Sequence, residues 1–364
     1  MRYRTDYALL FSLILWIACL NKTFSQVTDF YDRLSSDTLI REGISVHGSA
    51  LIYFKNNEYI KEAYPGFTAL GANTEADITY RRGRHVLTAG LLYQFVFGAP
   101  MRHRVMPVLS YRYGLTKDLR VVMGVLEGPA EHRLLQEVQG IDTYFEDPLE
   151  YGIQFRYTPQ WLDADVWINW RENIMTGDSA QEKFTQGSRL TFHIWDRDDW
   201  KLDVNTSLLF YHYGGQVDIS DAPVVTQMNY SAGVALSKQI HNWEYRLAYN
   251  YLAFKNDEDF TLIPWDRGSG HSISATADNR KFYFGLAYRT FDRYYSPFGD
   301  QVFGVFNSFT RELFGSRKEI VSATGQLRLA ADRNFGLNIG AEFYYNLPTG
   351  QLDYNYSLVG RVKF

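Results

Sequence analysis

From about residue 46 to Phe364, apolar and polar side chains alternate with a period of two, in one segment after another. In the last of these, Tyr354, Tyr356, Leu358, Gly360, Val362 and Phe364 fall on one face, and Asp353, Asn355, Ser357, Val359, Arg361 and Lys363 on the other. Successive side chains of a strand point to opposite faces, so each segment reads as a strand with one apolar and one polar side. Residues 162–171, 243–251 and 335–346 repeat the pattern. Sixteen segments can be counted, from 46–54 to 350–364. The first is the weakest, and fourteen strands is the alternative count.

The connections alternate as well. Every second one is short and polar, as in Arg81-Arg82-Gly83, Asp196-Arg197-Asp198 and Asp278-Asn279-Arg280. Those between are mostly longer: 55–66, 127–149, 173–184, 256–267 and 293–316. A soluble sandwich has no reason to keep long and short connections in rotation, and its strands cluster near five or six residues. Many of these segments exceed ten, the length a tilted strand needs to cross a bilayer. The expected fold is all-β: a closed antiparallel transmembrane barrel over residues 46–364, with short periplasmic turns and long extracellular loops.

Composition narrows the alternatives. Aromatic residues make up 16% of the chain, which excludes disorder. Lys and Arg total 37 against 41 Asp and Glu, so no basic field suggests nucleic acid. At the N-terminus, Arg2 and Arg4 precede the apolar stretch Ala8–Leu20, and Thr23-Phe24-Ser25 offers small residues at a cleavage site. Residues 1–25 therefore read as a secretory signal peptide. Cleavage there would remove Cys19, the one cysteine. Residues 26–45 read as a periplasmic segment or a plug of the lumen.

Trp161, Trp200 and Trp243 each follow a short turn directly, as an interfacial girdle requires. The last strand ends on alternating Tyr356, Leu358, Val362 and Phe364. With its terminal aromatic it looks like the signal read by the barrel assembly machinery. The mature chain resembles the porin-like outer-membrane β-barrels of Gram-negative bacteria. That resemblance implies an outer-membrane location with both termini periplasmic, contact with lipid and lipopolysaccharide, and a homo-oligomer or other protein partner. It carries no functional residues across, because no motif ties the chain to one member.

The pattern turns a set of charges inward: Glu75, Asp77, Arg104, Arg112, Arg120, Arg156, Asp163, Asp165, Arg189, Asp203, Glu244, Arg246, Arg289, Arg328, Glu342, Asp353, Arg361 and Lys363. They could create a transverse field in a pore, or pair across strands and brace a filled lumen. Trp167, Trp195, Tyr283 and Tyr344 also point inward. The loop 127–149 reads as a solvated surface loop. Its alternative is an inward fold with Glu131, His132 and Arg133 at the pore mouth.

These readings lead to an expected channel for small polar solutes, saccharides included. The alternative is a closed barrel serving as a structural or assembly component of an outer-membrane complex; a hydrolase is a distant third. The closest approaches to a Ser/His pair, His47 with Ser49 and His193 with Ser188, match no nucleophile elbow. Without a metal-binding or phosphate-binding motif, the sequence leads to the expectation of no enzyme, no cofactor and no metal.

Overall fold

The computed structural model describes residues 42–364 apart from 60–65, 67, 99–102, 215–218, 221–222, 258–262, 264, 308–312, 314 and 332–333. The signal peptide and most of segment 26–45 lie outside the described residues. Sixteen strands form one closed antiparallel barrel in which each strand pairs with its sequence neighbours and the last with the first. They are β1 Gly43–Glu58, β2 Thr68–Arg82, β3 His85–Val96, β4 His103–Gly114, β5 Leu119–Val125, β6 Tyr151–Tyr157, β7 Leu162–Glu172 and β8 Lys183–Arg197. The circle continues through β9 Trp200–Tyr213, β10 Val225–Ile240, β11 Trp243–Asn256, β12 Arg267–Asp278, β13 Phe282–Asp292, β14 Arg317–Ala331, β15 Phe335–Asn346 and β16 Gln351–Lys363.

The count is sixteen rather than fourteen, and the strand that looked weakest is 16 residues long. It runs on to Glu58, taking in residues assigned from sequence to a loop, because Lys55-Asn56-Asn57-Glu58 breaks the apolar pattern without breaking the ladder. Pairing with β16 and β2 supplies what local propensity does not.

Closure leaves no sheet edge, the condition for a sheet in lipid. The seam is tight. Gly48 and Phe364 exchange backbone hydrogen bonds at 2.8 and 2.9 Å. The Phe364 ring lies over Gly48, 2.2 Å from where a Cβ would stand, so a larger residue there would turn the terminal ring aside. At the short-turn end, Asp198 and Asp199 both take positive φ, 52° and 63°, as a two-residue hairpin turn demands.

Outward residues form an exposed apolar wall, including Ile52, Ile78, Leu91, Leu109, Leu247, Leu286 and Leu358. Trp200 lies on this wall beneath Lys238, 4.5 Å away, and Trp243 stacks on Phe284. Trp161 packs against Phe192. Tyr356, Leu358, Val362 and Phe364 all face outward and are exposed.

The interior departs from expectation. Residues 126–150 are not a solvated loop; they fold into the lumen, together with 293–307. Leu126, Val138, Tyr294, Val302, Phe303 and Phe306 join the inward Trp167, Leu252, Phe254 and Tyr344 in one buried apolar cluster. Within the first loop a short helix, α1 (Asp142–Glu146), buries Tyr144 and Phe145. Phe145 stacks on Tyr53 of β1 at 4.3 Å between ring centroids. Loop apolar residues that would face water outside the barrel are thus removed from it inside.

Candidate functional site

The inward charges sort into two regions. On β2 to β8 they pair and fill the lumen. Glu127, at the start of the inturned loop, receives Arg120 at 2.8 Å, Arg156 at 3.3 Å and Arg112 at 3.8 Å. Burial would raise its carboxyl, but the three guanidiniums outweigh it and hold Glu127 below the usual carboxylate range. Arg189 meets Asp163 at 2.8 Å, and Arg133 lies 3.9 Å from Asp163. Arg104 donates to Gln94 at 2.5 Å and to the carbonyl of Glu146. Glu75 and Asp77 are buried, with His47 on Asp77 at 3.1 Å. The bracing alternative describes this half of the barrel.

His132 is fully buried, its Nε2 2.6 Å from Glu150 and its Nδ1 2.8 Å from Asp165. Its ring lies flat on Trp167, 3.5 Å between centroids. Burial alone would favour the neutral ring; the two carboxylates reverse that and push the imidazole up to about 9. His132 is a charged clasp holding the loop to the wall, and not a group at a pore mouth. Glu131 belongs to the turn that begins at Gly128.

A second set gathers where β1 ends. Lys55 reaches Asp142 of α1 at 2.5 Å, and Asn57 donates to the same carboxylate at 2.9 Å. Glu342 lies beside them, accepting from Asn355 at 2.8 Å and Tyr344 at 2.6 Å. Asp300, in the second inturned loop, is pushed up to about 8, by burial first, with Asp142, Glu342 and Glu137 adding and Lys55 opposing. Arg289 holds Glu137 at 2.5 Å. On the opposite, lipid-facing side of the same strand end, Asn56 donates to Glu58 at 2.7 Å and to the Tyr356 hydroxyl at 3.2 Å. Thr68 donates to Asn56 Oδ1 at 2.6 Å. A carboxylate, an amide and two hydroxyls thus interrupt the apolar wall at the long-loop end. Of these four outer residues the sequence singles out only Tyr356, and that for the assembly signal rather than for a polar site. The run of four polar residues, 55–58, in a strand otherwise alternating was the available signal.

Among the described residues, two neighbouring cavities are separated by Pro129, Gln139 and Thr143, which line both. The larger, 1110 Å³, reaches from the inturned loop to the rim of β7 to β9 at the short-turn end, where Trp161, Trp195 and Lys201 line it. Arg189, Asp203, Glu244, Arg246, Arg289 and Glu342 border it. Arg246 pairs with Asp203 at 3.4 Å, and His193 with Asp203 at 2.8 Å. Arg328 pairs with Asp278 at 2.7 Å. The smaller cavity, 260 Å³, holds Glu146, Asp147, Glu150 and Arg171 near the long-loop end.

Neither Ser/His pair considered from the sequence forms. His47 is bonded to Asp77 and His193 to Asp203, while Ser188 pairs with Leu208 on the lipid-facing side. The one Ser/Thr–His hydrogen bond among the described residues joins Thr226 and His212 at 3.0 Å, cross-strand partners on the outer wall.

A family model described as lipid A 3'-O-deacylase-type matches residues 36–363. This is an enzyme type, and it overturns the expectation from sequence that no enzyme is present. The linear motifs considered from the sequence do not report it, since a barrel wall can gather polar groups from several strands. No curated protein sequence matches the chain. Among solved structures, the barrel is similar to a loop-deletion mutant of OmpT, an outer membrane protein of Vibrio cholerae. The two are 12% identical with a TM-score of 0.51, covering 88% of this chain and 99% of that one. It is also similar to the outer membrane protein OprD of Pseudomonas aeruginosa, at 8% identity and TM-score 0.50, covering 88% and 94%. A BenF-like porin of Pseudomonas fluorescens gives 8% identity and TM-score 0.50, covering 88% and 98%. At these identities the likeness is one of fold: a closed barrel of the outer-membrane type.

Proposed function

Because this chain belongs to the lipid A 3'-O-deacylase-type family, we propose that it is an outer-membrane hydrolase that cleaves an ester-linked acyl chain from a lipid A-class glycolipid. The observation that carries this reading is the pairing of a stoppered lumen with a polar site on the lipid-facing wall. Two loops pack the lumen with an apolar cluster, which does not suit a diffusion pore. The polar set Asn56, Glu58, Thr68 and Tyr356 stands at the long-loop end, and we take that end as the outer leaflet side, with the short turns and both termini periplasmic. Ester hydrolysis needs a base for the attacking water and donors for the developing oxyanion. Glu58, oriented by the Asn56 amide, supplies the base. The Tyr356 hydroxyl, which accepts from the Asn56 amide at 3.2 Å, keeps its own proton free to donate to the oxyanion.

The test is incubation of the purified, folded barrel with lipopolysaccharide in mixed micelles, with released fatty acid and residual glycolipid read by mass spectrometry. Time-dependent loss of one acyl chain that Glu58→Gln abolishes supports the reading. Intact glycolipid with the folded protein sinks it.

A solute channel is the second reading, favoured by the polar 1110 Å³ cavity. Planar-bilayer conductance separates the two. Discrete steps from the wild type would support a channel. Silence from the wild type, with steps only after deletion of residues 127–149, would support a stopper.

A further inference from the structure

We propose that the larger lumen cavity is a blind binding chamber for a neutral polyhydroxylated ligand, a short saccharide chain, admitted from the short-turn end. The proposal rests on the chamber alone and stands whether or not the outer wall hydrolyses an ester.

One half of the inner wall is built small. Where β4 to β7 turn arginines and carboxylates inward, β10 to β14 present Ser231, Ser237, Ser272, Ser274, Gly285 and Ser322 to the cavity. If the interior served only to brace the barrel, this half would be filled as the other is. Small side chains there leave 1110 Å³, somewhat above the roughly 300–1,000 Å³ of ordinary small-molecule pockets. That volume suits a short chain better than a single ring.

Charge decides the ligand class. Seven basic and seven acidic side chains line the cavity. Several are paired with each other, as Arg189 is with Asp163, Arg246 with Asp203 and Arg289 with Glu137. A balanced, internally paired lining has no net field to draw an anion or a cation. Nineteen serine, threonine, asparagine and glutamine side chains line it as well. Hydroxyls and amides both donate and accept, which matches a ligand whose own hydroxyls do the same. Tyr283 in the wall and Trp161 and Trp195 at the rim add aromatic faces for the C–H side of a sugar ring. The inturned loop closes the far end, so the ligand enters and leaves by one mouth.

The experiment is calorimetric titration of the full barrel in lauryldimethylamine oxide, a detergent without a sugar head. The probes are maltotetraose, cellotetraose and chitotetraose, with tetragalacturonate and tetralysine as charged comparisons. At least one neutral tetrasaccharide is expected to bind. Ser274→Phe, which fills the chamber from its small wall, should weaken that binding at least tenfold, and Ser274→Ala by no more than about threefold. Ser237→Phe, one strand further round, repeats the filling test if the first variant fails to fold. Heat-modifiable mobility verifies folding throughout. The proposal is overturned if none of the neutral probes binds the folded wild type, if the folded filled variants bind as tightly as the wild type, or if a charged probe binds more tightly than every neutral one.

Discussion

His132 and Asp165 are joined at 2.8 Å between groups with no exposed side-chain surface, one on the inturned loop and the other on β7. The second carboxylate, Glu150, closes on the other ring nitrogen at 2.6 Å. The loop is therefore clasped to the wall by a cation that burial alone would disfavour.

The clasp makes the stopper pH-dependent. His132 is raised from 6.5 to about 9 in the folded protein. Its contribution is fully present below the unfolded value, and is lost as pH rises through about 9, where the folded imidazole releases its proton. The span corresponds to something on the order of 3 kcal/mol. Tryptic cleavage after Arg133 should accelerate between pH 7 and 9.5, relative to cleavage of an unfolded reporter peptide. In His132→Gln it should be fast and flat across that range. A wild-type profile as flat as the variant's contradicts the assignment.

Lys55 secures the other end of the loop. Lys55→Ala leaves the half-buried Asp142 without its cation beside Glu342 and Asp300, at a cost of about 1.5–3 kcal/mol. Conductance steps are expected from this variant in a planar bilayer at neutral pH. The double change Lys55→Met with Asp142→Leu removes both charges and should restore much of the loss. If the single variant stays as silent and as protease-resistant as the wild type, the pair does not hold the stopper.

Gly187 fixes the position of Trp167. A Cβ there would stand 2.0 Å from the indole, on the ring that His132 stacks upon. Gly187→Ala should cost about 1–3 kcal/mol through overpacking and loosen the loop as well as the barrel. Thermal unfolding followed by heat-modifiable mobility gives the first effect, and protease sensitivity at Arg133 the second. Unchanged values for both would mean that the wall relaxes freely at β7 and β8.

On the outer wall, Glu58→Gln and Asn56→Ala should each lower acyl release by about 10²-fold or more. Glu58→Gln should leave the melting behaviour of the barrel unchanged, since Glu58 is exposed at the strand end, whereas Asn56→Ala, which removes a buried amide bonded to Tyr356 and Thr68, should lower it by about 1–3 kcal/mol. His212→Gln should leave acyl release within a few-fold of wild type. If it is the His212 variant that loses activity, the chemistry belongs to the Thr226–His212 pair instead.

The sequence by itself determined the barrel. Period-two alternation is a property of adjacent residues, and an apolar solvent outside a closed sheet enforces it strand by strand. The inward set could be read for the same reason: Arg189, Asp203, Arg246 and Glu342 do line the lumen. Tertiary structure alone decided what fills that lumen. The loop carrying His132 has the composition of a surface loop. It turns inward because Lys55 waits 87 residues away for Asp142, and Arg289 waits 152 residues away for Glu137. The same holds for Asn56, Thr68 and Tyr356, which meet only when β16 returns to β1. Local patterns carry the period of a strand; they carry no record of which distant strand will supply a partner.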